Sequence, residues 1–151
     1  MPALQAHQKS NPAQEGLGRS RGGFSSKIHV VTEAKGRPLV LTITPGQSAD
    51  IEQAGALLSD INAEAVAADK AYDADALVVQ LQAKGIHVVI PSRANRNPSR
   101  EYDRDVYKQR NAIERFFGKI KHYRRVFSRF EKTCRNYKAM LHFVSALIWL
   151  R

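Results

Sequence analysis

Between Tyr107 and Lys121 the chain reads YKQRNAIERFFGKIK, and this stretch limits the fold more than any other. Wound as a helix at about 100° per residue, it gathers Ile113, Phe116, Phe117 and Ile120, with Val106 just before them, on one apolar sector. Such a stripe has to be buried against a core. Arg104, Lys108, Arg115, Lys119 and His122 fall on a basic sector. Between the two runs a stripe about 60° wide on the same projection, carrying Tyr107, Arg110, Glu114 and Lys121. One carboxylate there shares a face with two cations and a phenol. Arg110 and Glu114 have i, i+4 spacing, so a solvated ion pair accounts for them as well as a site does.

The elements ahead of this helix supply the surface it needs. Lys27 to Thr32 (KIHVVT) and Leu39 to Thr44 (LVLTIT) are rich in β-branched residues and flank turn chemistry around Gly36. They predict a hairpin. Pro45-Gly46 stops it, and Ser48 or Asp50 is placed to cap a helix over 51–61. Ala65 to Ala68 predicts a short buried strand ending at Asp69. Asp73 is placed to cap a helix over 74–84 closed by Gly85, and 86–90 (IHVVI) predicts a further strand before Pro91. Residues 92–105 read as a basic loop or linker, and a near-continuous apolar helix is expected over 135–150. A hairpin followed by alternating helices and strands implies an α/β architecture, a mixed sheet flanked by helices. Residues 1–23 are polar and read as a flexible N-terminal segment, leaving 24–151 as one domain.

Charge separates the chain into two parts. The net charge is +10 from 24 basic and 14 acidic residues. From Arg93 to Lys138 there are 15 basic and 5 acidic residues, and the rest holds 9 of each. The whole imbalance therefore lies in one segment, the mark of a polyanion partner such as nucleic acid. Within it, 122–133 interleaves Arg124, Arg125 and Arg129 with Tyr123, Phe127 and Phe130. Cys134 is the one cysteine, so neither a disulfide framework nor a zinc motif is available, and a reducing, cytoplasmic setting is expected. No signal peptide or membrane-spanning run is apparent.

Asp69 and Glu114 are the residues best placed for chemistry. Ligand sites of open α/β sheets lie at strand ends, where Asp69 falls. A strand-end carboxylate and a helix carboxylate that converge offer hard oxygen ligands to Mg²⁺. Beside a polyanion-binding surface, such metals serve in-line phosphoryl transfer. Arg110 and Lys121 are then suited to hold phosphates and Tyr107 to contact a backbone oxygen or a base. Each acidic residue has a plainer account alone: Asp69 as a turn residue, Glu114 as half of an ion pair. His29 reads as packed in its strand rather than as a ligand. His7, His87, His122 and His142 lack metal-ligand spacing, and Asp73 and Asp75 read as helix-start residues. Asp50 fits either a capping role or a carboxylate lying behind the site.

Tyr107, Arg110, Glu114 and Lys121 match Y-x2-R-x3-E-x6-K without a gap. Together with ADKAYD at 68–73, GRSRGGFSSKIH, TPGQSAD and the terminal ALIWLR, this resembles the catalytic part of bacterial insertion-sequence transposases of the DDE type, in particular insertion-sequence family five. The resemblance covers nearly the whole chain. It implies a ribonuclease-H-like fold holding two divalent metals, Mg²⁺ or Mn²⁺, on carboxylates from a first strand, a fourth strand and a late helix. It implies DNA cleavage at element ends, strand transfer into target DNA, and a homo-oligomer as the active form. Asp69 and Glu114 become the second and third metal ligands. Tyr107, Arg110, Arg115, Lys119, Lys121, Arg124 and Arg125 become DNA-contacting residues. The family's first aspartate precedes a segment resembling AHQKS, which here holds His7, so that aspartate and its strand are expected to be missing. The chain then corresponds to a truncated copy or to the downstream product of a frameshifted gene, with the upstream product or full-length transposase as a partner. A non-catalytic DNA-binding fragment that inhibits or assists the full enzyme is the alternative. A third reading is a ribonuclease-H-like nuclease without strand transfer.

Overall fold

A computed structural model describes residues 11–20 and 23–151; His7 and the AHQKS segment lie outside them. The hairpin forms as β2 (Gly23–Thr32) and β3 (Pro38–Pro45), paired antiparallel with Ile28 opposite Ile43 and Val30 opposite Leu41. A short strand β1 (Gly18–Ser20) precedes it and pairs with the first residues of β2. Residues 18–20, which read as loop in the sequence, are therefore part of a sheet. Helix α1 (Asp50–Leu57), strand β4 (Ala65–Ala67), a 3-10 turn (Lys70–Tyr72), helix α2 (Asp75–Ala83) and strand β5 (His87–Val89) follow in the expected order. The C-terminal third is helical: α3 (Arg104–Lys108), α4 (Asn111–Lys121), α5 (Arg124–Phe127) and α6 (Cys134–Trp149).

Two expectations are corrected. The strands make two sheets, not one: β1-β2-β3 antiparallel and β4-β5 parallel, with no ladder joining them among the described residues. The stretch 107–121 is also not one helix. Gln109, Arg110, Ala112 and Ile113 each donate to the carbonyl three residues back, at 2.9–3.0 Å. That 3-10 geometry separates α3 from α4 and turns the chain faster than an α-helix does. The single projection thus misplaces Tyr107 relative to Glu114.

Each sheet has its own core. Alternation along β2 and β3 sends Ile28, Val30, Leu41 and Ile43 to one face, where they pack with Phe116 and Ile120 of α4, Val126 of α5, and Tyr137, Leu141, Val144 and Ile148 of α6. The second core joins Ala54 and Leu58 with Leu77 and Leu81 of α2 and with Ile86 and Ile90 at the ends of β5. The hairpin turn docks on α4 through Gly36, whose φ is +79° and where a Cβ would sit 2.9 Å from the Ala112 carbonyl oxygen. Beside the same turn, Trp149 donates its indole N–H to the Pro38 carbonyl at 2.7 Å, under the Arg37 guanidinium.

Phe116 is fully buried at the centre of the first core, whereas Phe143 on α6 is 59% exposed. Phe116→Ala should lower unfolding free energy by about 3–5 kcal/mol, and Phe143→Ala by less than about 0.5 kcal/mol. Urea denaturation followed by far-UV circular dichroism measures both.

Candidate DNA and metal site

The facing edges of the two sheets line one cavity of about 550 Å³. From β2 it takes residues 28–32 and from β4 residues 65–67. On β4, Glu64 accepts from the His87 N–H at 2.9 Å and Ala68 donates to Val89 at 3.3 Å. Alternation along a parallel ladder then turns the backbone groups of Ala65 and Ala67 towards the cavity. From Lys27 onward the corresponding edge of β2 is likewise unpaired among the described residues. Asp50, Asp69, Tyr72, Arg110, Ile113 and Phe117 complete the wall.

Asp69 lies exposed two residues past the end of β4. Its Oδ1 accepts the Ala71 N–H at 2.9 Å and so caps the 3-10 turn. Glu114, on the first turn of α4, is 60% exposed and accepts from Arg110 at 2.6 Å. Arg110 joins these two acidic residues electrostatically. Its partial burial opposes its charge, but the Glu114 hydrogen bond and the charges of Glu114, Tyr107 and Asp69 outweigh that and hold its pKa above the usual value. The plain accounts of both carboxylates therefore hold locally; Glu114 bonds the Arg110 guanidinium, and Asp69 lines the same cavity as Arg110.

Each carboxylate keeps a second oxygen outside those bonds. Two hard carboxylates suit Mg²⁺, which takes one or two from protein and completes its shell with water and phosphate. Among the described residues no group of three His, Cys, Asp or Glu side chains is arranged around a common metal position.

Asp50 does not cap α1. The N-cap is Ala49, without a side-chain bond. Asp50 instead pairs with Lys27 at 3.1 Å and faces His29 Nδ1 at 3.7 Å on the cavity wall. His29 is buried, and its Nε2 hydrogen-bonds Thr44 Oγ1 at 2.7 Å. Burial keeps its pKa below the ordinary value despite Asp50. Tyr72 lies near both Asp50 and Asp69. Burial first, then those two negative charges, push its phenol up to about 12, so it stays neutral.

Among the expected DNA contacts, several are already engaged. Arg115 donates to the Ala34 carbonyl and Arg125 to Glu131, each at 2.6 Å. Tyr107 packs edge-on to Tyr102, with ring centroids 5.3 Å apart. Lys121 lies 6.0 Å from the centre of the Phe127 ring. Lys119, Lys121 and Arg124 make no ion pair among the described residues.

Sequence reasoning missed the clamp that orders residues 91–103. Asp73 does not cap α2, whose N-cap is Ala74. Its side chain is fully buried and accepts from the Arg93 N–H at 2.8 Å, Arg96 Nε at 2.8 Å and Arg100 at 2.5 Å. Asp75 takes the second nitrogens of Arg96 and Arg100. The acidic pair beside an arginine-rich loop was the only signal available.

The chain matches the family model described as "Transposase DDE domain" over residues 3–149 and belongs to that family. It is 39% identical over 133 residues, 85% of this chain and all of the relative, to a Brucella ovis protein named as a transposase for insertion sequence element IS6501. It is 30% identical over 142 residues to a Burkholderia cepacia protein named in the same way for IS402, covering 86% of this chain and 64% of that one. The chain thus spans somewhat under two thirds of the second relative. No solved structure matches it significantly. Among the described residues no helix is long and apolar enough to cross a membrane.

Burial raises the Asp73 carboxyl, but the Arg93 N–H and the Arg96 and Arg100 guanidinium groups outweigh it and hold its pKa below the ordinary 3.8. A depressed folded-state pKa contributes stability that is complete above the unfolded value and disappears as pH falls through the folded one. Amide protection factors across 91–103, corrected for the intrinsic exchange rate at each pH, should therefore fall as pH drops below about 4. Asp73→Asn should flatten that pH dependence. Asp73→Ala should cost about 3 kcal/mol, the low end for a broken buried pair, because Arg96 and Arg100 can turn to water.

Proposed function

We propose that this domain cuts and joins DNA at insertion-sequence ends, with Asp69 and Glu114 as two of its metal-holding carboxylates. The observation that carries this reading is Arg110 at the cavity rim, bonded to Glu114 and within the field of Asp69. It belongs to the segment that holds the chain's entire excess of positive charge. A divalent metal bound there would polarise a phosphodiester and activate the attacking oxygen. The chain's own residues do the rest. Lys119, Lys121 and Arg124 hold the phosphate backbone. Arg110 holds Glu114 in place and is positioned to take a phosphate oxygen when DNA arrives. Tyr72, neutral on the cavity wall, offers a hydroxyl and no competing charge.

The ribonuclease-H-like sheet, with a central strand bearing a third carboxylate, belongs to the same proposal. Two sheet edges that present unpaired backbone groups to one cavity are complementary to one added strand between them. Membership of insertion-sequence family five is part of this reading. So are a full-length transposase as a partner and an active homo-oligomer. The Arg110–Glu114 pair favours a second reading, in which the chain binds DNA without cutting it and modulates a full-length transposase.

On the leading reading, the 151-residue chain should bind element-end DNA but not cleave it with Mg²⁺ or Mn²⁺. A version restored with an upstream strand and its aspartate should cleave. There Glu114→Gln should reduce cleavage to background while leaving DNA affinity unchanged or improved. Cleavage by the isolated chain would overturn the missing carboxylate, and full activity of the Glu114→Gln enzyme would overturn the site. Affinity should fall with salt at a log–log slope of roughly −2.7 if Lys119, Lys121 and Arg124 each neutralise one phosphate of duplex DNA. Arg124→Ala should reduce that slope by about one unit, whereas Arg115→Ala should change it less.

A further inference from the structure

Helix α5 ends in a turn that normally calls for glycine. Phe130 N–H bonds the Arg125 carbonyl at 3.1 Å and Arg129 N–H bonds the Val126 carbonyl at 3.2 Å. That pair of bonds is a Schellman motif, whose left-handed position is usually glycine. Here Arg129 occupies it with φ +42°. A side chain in that conformation is strained by roughly 1–2 kcal/mol, and such strain persists only where surrounding contacts fix it. The Arg129 guanidinium supplies them: it donates to the carbonyls of Glu15 and Gly16 and lies 4.9 Å from the Tyr137 ring centre. Beneath the turn Val126 is fully buried, and the Tyr137 hydroxyl donates to its carbonyl at 2.9 Å.

The result of this fastening is two phenylalanines pointing outward. Phe127 is 59% exposed and Phe130 is 56% exposed. Nothing in the turn requires large rings there. Lys121 stands near the Phe127 ring, and Arg124 makes no ion pair among the described residues. Phenylalanine and arginine are both common at protein interfaces, but lysine is depleted there, and a lysine stands beside the Phe127 ring. Rigid rings set among cations match unpaired nucleotides, whose bases stack on aromatics while their phosphates meet lysine and arginine. Helix α4 carries Glu114 and Lys121 two turns apart, and Lys121 stands 6.0 Å from the Phe127 ring centre.

We infer that Phe127 and Phe130 form a stacking platform for unpaired bases, so that this face takes single-stranded or frayed DNA. The inference rests on the DNA-binding reading above but requires neither metal nor the acidic residues. Its test is fluorescence anisotropy with the whole chain in EDTA, using labelled oligo(dT) and a blunt duplex of equal length. Phe127→Leu and Phe130→Leu keep an apolar side chain and remove the ring face. Each should weaken oligo(dT) binding at least about fivefold, change duplex binding less than about twofold, and leave the salt slope unaltered. The same change at Phe143 should have no effect. Equal losses on both DNAs, or none on oligo(dT), would overturn the platform. Loss of self-association in sedimentation with oligo(dT) binding intact would overturn it too, and assign the rings to a second copy of the chain. Failure of the wild-type chain to bind either DNA would instead remove the DNA-binding reading itself.

Discussion

Burial of Phe116 and Ile120 fixes most of what is functional in this domain. Both side chains are sealed between the hairpin and α6. A helix pinned along one stripe cannot rotate, so the opposite stripe has a fixed direction. Glu114 follows from Phe116 and Lys121 from Ile120. The hairpin reinforces this from outside, with Gly36 letting the turn approach the Ala112 backbone and Arg115 reaching the Ala34 carbonyl. Apolar packing thus positions the charged residues, and the ion pair between Arg110 and Glu114 only trims their rotamers.

The cavity between the sheets follows from a different constraint. Backbone groups buried without partners are costly, and β4 turns those of Ala65 and Ala67 towards a space with largely apolar walls. Inside a complete sheet such groups find another strand.

Local pattern carried the elements and failed for contacts distant in sequence. Period-two runs at 27–32 and 39–44 and the apolar stripe of α4 were legible because each element signals its own buried face. The division into two sheets was not, since no residue encodes which strand it will pair with. Asp50 and Asp73 both read as helix caps, as short acidic residues before helices usually do. Each was instead taken by cations far along the chain: Lys27 in one case, Arg96 and Arg100 in the other. The break at Gln109 and Arg110 carries no glycine or proline, so no local signal announces it. For the site, the sequence named Asp69, Arg110 and Glu114; Arg110 bonds Glu114, and Asp69 and Arg110 line the same cavity. It offered no means of telling which arginines would be spent on protein contacts.

That last division has a physical logic. Arginines that close internal carbonyl or carboxylate sites, such as Arg96, Arg100, Arg115 and Arg129, order irregular backbone. Those on open helical faces, such as Arg124, stay available. A planar guanidinium with five donors satisfies several carbonyls at once, and Arg129 does so while standing in a conformation better suited to glycine. A glycine there would relax the backbone but leave the Glu15 and Gly16 carbonyls without that donor and free the turn to move. The arginine therefore exchanges local strain for a rigid projection of the residues on either side. Rigid aromatic rings lose little entropy when a flat partner covers them, so fixing them in advance strengthens binding without adding a contact. The excess positive charge of this segment is thus divided in two, one part holding the frame and the other left on open faces.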